Sequence, residues 1–157
     1  MIYFIVTTSI FSDCLTRTSQ YIKCISKLKE LVNYKIIIVE NNGKRNTFLD
    51  DLGCEVFYTE NNFIKNTPNK GYKELKDILD CIHKYNIKDD DFIVKITGRY
   101  LLHDDSKFIS TIKNMGEIDY DCVLRFGSYI KPVNYKTNDC ITGLIGMKCS
   151  YIKQITF

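Results

Sequence analysis

Short, almost unbroken apolar runs alternate with helical periods along this chain, and that alternation limits the fold more than any other feature. The runs are 1–8 (MIYFIVTT), 35–40 (KIIIVE), 54–59 (CEVFYT), 91–97 (DFIVKIT), 121–126 (DCVLRF) and 140–147 (CITGLIGM). Each is rich in β-branched and aromatic residues. Strands that are apolar on both sides need cover on both sides, as in a parallel sheet between helices. The helices are read from their period. Ile22, Ile25, Leu28, Leu31 and Val32 share one face over 17–32, and Leu75, Ile78, Leu79, Ile82 and Tyr85 do so over 72–86. Ile109, Ile112 and Met115 mark a third helix. A short helical piece at 46–52 ends at Gly53, and Pro68 and Gly71 punctuate the loop before the second helix. The predicted class is α/β: a mostly parallel sheet with right-handed crossovers and helices on both faces.

Composition narrows the function classes. At 157 residues and 18.3 kDa the chain is expected to form one domain, which needs neither metal nor disulfides to hold a core. Twenty-two basic against 19 acidic residues give a net charge of +3, too balanced to predict a nucleic-acid or membrane-surface partner. No apolar stretch has the length of a membrane span. No cation precedes the opening run and no small-residue cleavage site follows it, so it reads as a first strand rather than a secretory leader. Alanine and tryptophan are absent while Ile, Asn, Lys and Tyr abound, as an AT-rich genome would encode. The Lys and Asn content is therefore weak evidence about chemistry.

Seven cysteines, Cys14, Cys24, Cys54, Cys81, Cys122, Cys140 and Cys149, show no C-x-x-C spacing and are odd in number. They read as small apolar fillers in a reducing, cytoplasmic setting rather than a disulfide framework or zinc site. With only His83 and His103, a three-histidine metal centre is excluded.

In an open α/β sheet, ligands bind beyond the carboxyl ends of the strands, so those residues are the candidates. Thr7, Thr8 and Ser9 follow the first strand and could line a nucleotide pocket or simply make a capped turn. Neither G-x-G-x-x-G nor G-x-x-x-x-G-K-[ST] occurs, which argues against dinucleotide oxidoreductases and P-loop enzymes. Glu40, Asn41, Asn42 and Gly43 end the second strand. A carboxylate there can accept hydrogen bonds from a ribose or base, or serve the Asn-Gly turn alone. Asn69, Lys70 and Gly71 open the second helix, as a diphosphate-binding helix start or as an ordinary Asn cap. Lys95, Thr97 and Arg99 alternate to one side at the end of the fourth strand, with Gly98 allowing close backbone approach. A bound anion or an internal salt bridge would satisfy Lys95. Asp89, Asp90 and Asp91 precede that strand and read as a solvated turn. His103, Asp104 and Asp105 lie on the ligand side, where Asp105 or Ser106 also suits a helix cap.

Taken together these segments resemble the GT-A glycosyltransferases, the nucleotide-diphospho-sugar transferases, over residues 1–147. Ile37-Ile38-Val39-Glu40-Asn41-Asn42-Gly43 is similar to the family's "VDNGS" segment, and Asn69-Lys70-Gly71 to its N-x-G element. The strand 91–100 stands where the family carries its metal-binding D-x-D motif. The resemblance implies a Rossmann-like GT-A sheet, a nucleotide-sugar donor with UDP favoured, and a hydroxyl acceptor. It implies donor contacts from Thr7, Thr8, Ser9, Glu40, Asn41, Asn69, Lys70, Gly71, Lys95, Thr97, Gly98 and Arg99.

Two departures from the family shape the expectation. Thr97-Gly98-Arg99 replaces the D-x-D carboxylates, so Lys95, Arg99 and Lys70 are expected to offset the diphosphate charge. No cofactor is then required, with Mn²⁺ or Mg²⁺ left as an option and no metal ligand assigned. Against the family's usual length, the acceptor-side part, about 120–157, is expected to be abbreviated. Asp139 is expected as the general base, with Asp104 in reserve. A short acceptor side also permits a homodimer, or a non-catalytic nucleotide-sugar-binding module that acts with a partner chain. A nucleotidyltransferase is disfavoured because its glycine-rich basic loop and metal-binding acids are absent from the sequence.

Overall fold

The structure, a computed structural model, describes residues 1–11, 14–115, 120–126 and 140–156. Strand β1 (Ile2–Thr8) leads through helix α1 (Leu15–Leu31) to β2 (Lys35–Glu40), and a 3-10 turn (Phe48–Leu52) leads to β3 (Glu55–Tyr58). A second 3-10 turn (Asn61–Phe63) and helix α2 (Lys70–Lys84) precede β4 (Phe92–Thr97). Helix α3 (Lys107–Lys113), strands β5 (Cys122–Phe126) and β6 (Cys140–Lys148), and helix α4 (Cys149–Lys153) complete the described elements. The fold is α/β, around one six-stranded mixed sheet of order β3-β2-β1-β4-β6-β5. The pairs β1–β2, β1–β4 and β2–β3 are parallel, and β6 runs antiparallel to both β4 and β5.

The unbroken apolar runs are explained by the two faces they serve. Phe4, Val6, Ile36, Ile38, Val94 and Ile96 point to one side, where α1 brings Cys24, Ile25 and Leu28 and α3 brings Ile109 and Ile112. Tyr3, Ile5, Ile37, Val39 and Ile93 point to the other, against Ile78, Cys81 and Ile82 of α2 and Ile152 of α4. Full burial of one such side chain contributes about 1.5–3 kcal/mol, so the two clusters account for much of the folding drive. Each strand lies within one residue of its sequence-predicted bounds. The third helix stops at Lys113, short of Met115, and α4 had no counterpart in the sequence reading. No helix of the described residues is long and apolar enough to cross a membrane.

Two features of this frame position the site. From β1 the chain steps outward to β2 and β3, whereas β4 lies on the other side of β1, so the winding direction reverses between β1 and β4. Loops diverge at such a point and leave a crevice at the carboxyl ends. The register also pairs Ile5 with Lys95 and Thr7 with Thr97, which puts Thr7, Lys95 and Thr97 together on the α2 face.

Candidate functional site

A cleft of about 360 Å³ opens at the carboxyl ends of β1 and β4, between the start of α2 and the amino-terminal part of α1. Its walls include Thr7, Thr8 and Ser9 after β1, Asn41 after β2, Lys70 and Gly71 at the start of α2, and Thr97 and Arg99 after β4. These candidates from four separate segments therefore meet in one place. A second hollow, about 650 Å³, lies beside α3 and is lined largely by Leu101, Leu102, Phe108, Val123, Leu124 and Leu144. Its apolar walls suit an anion less well than the cleft does.

The floor of the cleft is an ordered polar cluster. Lys95 is 2% exposed; its ammonium donates to the Thr142 carbonyl (2.8 Å) and Thr97 Oγ1 (3.0 Å) and forms an ion pair with Glu74 Oε1 at 2.9 Å. Its charge is thus satisfied inside the protein. Burial pushes the Lys95 pKa down, and the neighbouring Glu74 charge opposes that shift. The expectation that Lys95 holds a diphosphate is corrected: it sits beneath the cleft and fixes Glu74, the internal salt bridge being the reading that fits. Thr7 donates to the same Glu74 oxygen at 2.6 Å.

Glu40 also has a different role from the expected one. Its side chain is fully buried and accepts from Thr8 Oγ1 (2.7 Å), the Ile10 N–H (3.1 Å), Asn42 Nδ2 (2.9 Å) and Arg45 (3.2 Å). A carboxylate so surrounded holds the loops after β1 and β2 together and does not line the cleft. Asn41, which does, is anchored by donating to Asp77 Oδ2. Asp77 is buried in α2 and also accepts from Thr59 and Asn61. Burial raises its pKa, against the three donors that stabilise its charge.

Asn69 and Gly98 each have a structural task. The Asn69 side-chain oxygen, Oδ1, accepts from the Gly71 and Tyr72 N–H groups as the cap of α2, so those donors are already engaged. Gly98 is buried, and a Cβ there would lie 2.9 Å from Tyr21 and 3.1 Å from Thr8 and Val6. The close backbone approach is to the protein's own core. Tyr21 in turn accepts from the Ser9 N–H, and burial pushes its phenol upward.

Electrostatically the cleft is cationic. Arg17, Lys70, Lys73 and Arg99 line it, against one carboxylate among the described lining residues, Glu74. Lys73 donates to the Asn62 carbonyl, and Arg17 stands 5.9 Å from the Phe11 ring. Among the described residues, Arg99 and Lys70 make no hydrogen bond or ion pair, and both are exposed. Two charges free to reach one concavity are suited to a phosphate or diphosphate.

Arg17, Asn62, Lys73 and Glu74 were not found from the sequence. Glu74 had a usable signal. It lies four residues from both Lys70 and Ile78, so the stripe that docks α2 on the sheet turns polar where it runs past the strand ends. Asp104, the reserve base, does not line the cleft: it is exposed and pairs with Lys27 of α1. Asp139 lies outside the described residues. His103 and Asp105 border the apolar hollow, and Ser106 caps α3. Asp89 and Asp91 lie at the amino end of the sheet, where Asp91 accepts from the Lys88 N–H and Asp89 pairs with Lys153. Among the described residues no three or more His, Cys, Asp or Glu side chains gather as a metal group. No family model matches the chain, and no curated protein matches it significantly.

Proposed function

We propose that the cleft holds the diphosphate of a nucleotide sugar and that the chain is a GT-A-type glycosyltransferase. The observation that carries this reading is the pair Arg99 and Lys70. Both are without a protein partner among the described residues, and both face one cleft at the β1/β4 reversal beside the hydroxyls of Thr7, Thr8 and Ser9. In the proposed reaction the acceptor oxygen bonds to the anomeric carbon as the bond from that carbon to the diphosphate breaks. The nucleoside diphosphate departs with the electron pair, and Arg99 and Lys70 offset its growing charge. A carboxylate takes the acceptor proton. Asp139 is proposed for that role.

A binding module completed by a partner chain is the second reading. It is favoured by one feature: the carboxylate that lines the described cleft, Glu74, is already held by Lys95 and Thr7.

The test is a thermal-shift panel of UDP, GDP, CDP and dTDP, their sugar conjugates, and NAD as control, each with and without Mn²⁺. Ligand at about 100 times its dissociation constant adds about 2.7 kcal/mol to stability, a shift of several degrees. Arg99→Ala and Lys70→Ala should each weaken nucleotide binding about tenfold or more, as loss of a charge-assisted hydrogen bond does. Neither should change the melting temperature without ligand, since neither side chain has a partner among the described residues. A flat panel, or variants that bind as well as the parent, overturns the reading. Sugar transfer to an added acceptor separates the enzyme from the module.

A further inference from the structure

The cationic cleft contains a carboxylate, and a carboxylate beside a phosphate site is a cost unless it does something for the ligand. Glu74 is held by one oxygen only. Oε1 takes the Lys95 ammonium at 2.9 Å and the Thr7 hydroxyl at 2.6 Å, with the Thr97 hydroxyl at 3.4 Å. Oε2 makes no hydrogen bond among the described residues, and the side chain is 30% exposed at the cleft wall. Lys70, one helical turn before Glu74 on α2, forms no ion pair with it, although the i,i+4 spacing permits one. Buried Lys95 takes that place, which leaves Lys70 without an ion pair among the described residues.

We propose that Glu74 reads a ligand hydroxyl next to the phosphate, so that the cleft selects phosphate esters of sugars over bare phosphates. The inference rests on the reading that the cleft takes a phosphate. It adds a specificity-determining residue on α2. Lys95 makes this workable in two ways. It offsets the Glu74 charge, so the pair is nearly neutral toward the phosphate, and the ion pair holds the carboxylate in place as an acceptor. Anchored at one oxygen, the carboxylate presents the other with little rotamer freedom left to lose.

The experiment compares two probes, ribose 5-phosphate and inorganic phosphate, by titration followed in NMR spectra, with UDP as a third. The parent protein should bind ribose 5-phosphate roughly tenfold or more tightly than phosphate, since a hydrogen bond to a charged group is of that size. In Glu74→Leu/Lys95→Met the pair is replaced by apolar groups of similar shape, a change that is often neutral for stability. Its phosphate affinity should stay close to that of the parent, while the preference for the sugar ester collapses. Glu74→Gln retains a weaker neutral acceptor, so it should narrow the preference and tighten phosphate binding, because Lys95 is then uncompensated. It serves if the double variant does not fold. An unchanged preference in the variants, equal affinities in the parent, or no binding of either probe overturns the inference. If UDP binds no better than ribose 5-phosphate, the nucleotide reading fails while the role of Glu74 stands.

Discussion

Glu40 and Glu74 lie at the same end of the sheet and differ in how many of their lone pairs the protein occupies. Glu40 is fully buried and meets donors from Thr8, Ile10, Asn42 and Arg45, so replacing one oxygen by an amide sets N–H against N–H. Glu40→Gln is expected to lower stability by about 2 kcal/mol, the cost of leaving buried donors unpaired. Urea unfolding with an unchanged m-value would show it. An unchanged midpoint would mean that the loops after β1 and β2 do not depend on this charge. The sequence placed Glu40 at the right strand end. It could not show which way the carboxylate faces, because its partners come from residues up to 32 positions away. Lys95 is the same case: its three partners lie in β4, α2 and β6.

Helix α2 joins the site to the core. Its apolar stripe, Ile78, Cys81 and Ile82, fixes it on the sheet, and the same stripe continues into Glu74, Lys70 and Gly71 at the cleft. The core half of that stripe was legible, because apolar spacing is the signal sequence reading uses. Of the polar half, Lys70 and Gly71 were legible as a helix start, whereas Glu74 went unread because a lone acid so early in a helix is usually solvated. Asn69 separates capping from ligand binding. Its side chain satisfies two N–H groups of the first turn, so Asn69→Ala should cost about 1 kcal/mol, as loss of such a cap does. Diphosphate affinity should not fall, since the freed N–H groups then point toward the anion. Paired measurements of melting temperature and UDP affinity check this. A fall in affinity would make Asn69 a ligand contact.

The whole molecule sorts its cysteines by layer. Cys24 lies between α1 and the sheet and Cys81 between α2 and the sheet, and burial pushes both thiols up to about 12. Cys14 and Cys122 are exposed. Iodoacetamide at pH 8 should label Cys14 and Cys122 in the native protein and reach Cys24 and Cys81 only after unfolding. Peptide mapping by mass spectrometry reads the outcome, and early labelling of Cys24 or Cys81 would contradict this packing. The sequence by itself determined the α/β class, the positions of the strands and the two main helices, and the strand ends that hold the cleft. Those features follow from local apolar period and turn chemistry, which act between near neighbours along the chain. Only the tertiary structure decided the antiparallel placement of β6, the sealing of Glu40 and Lys95, and the arrival of Glu74, Arg17 and Lys73 at the cleft. Each of these depends on contacts between segments far apart in the chain, and the burial and partners of a charge exist only once those segments have packed.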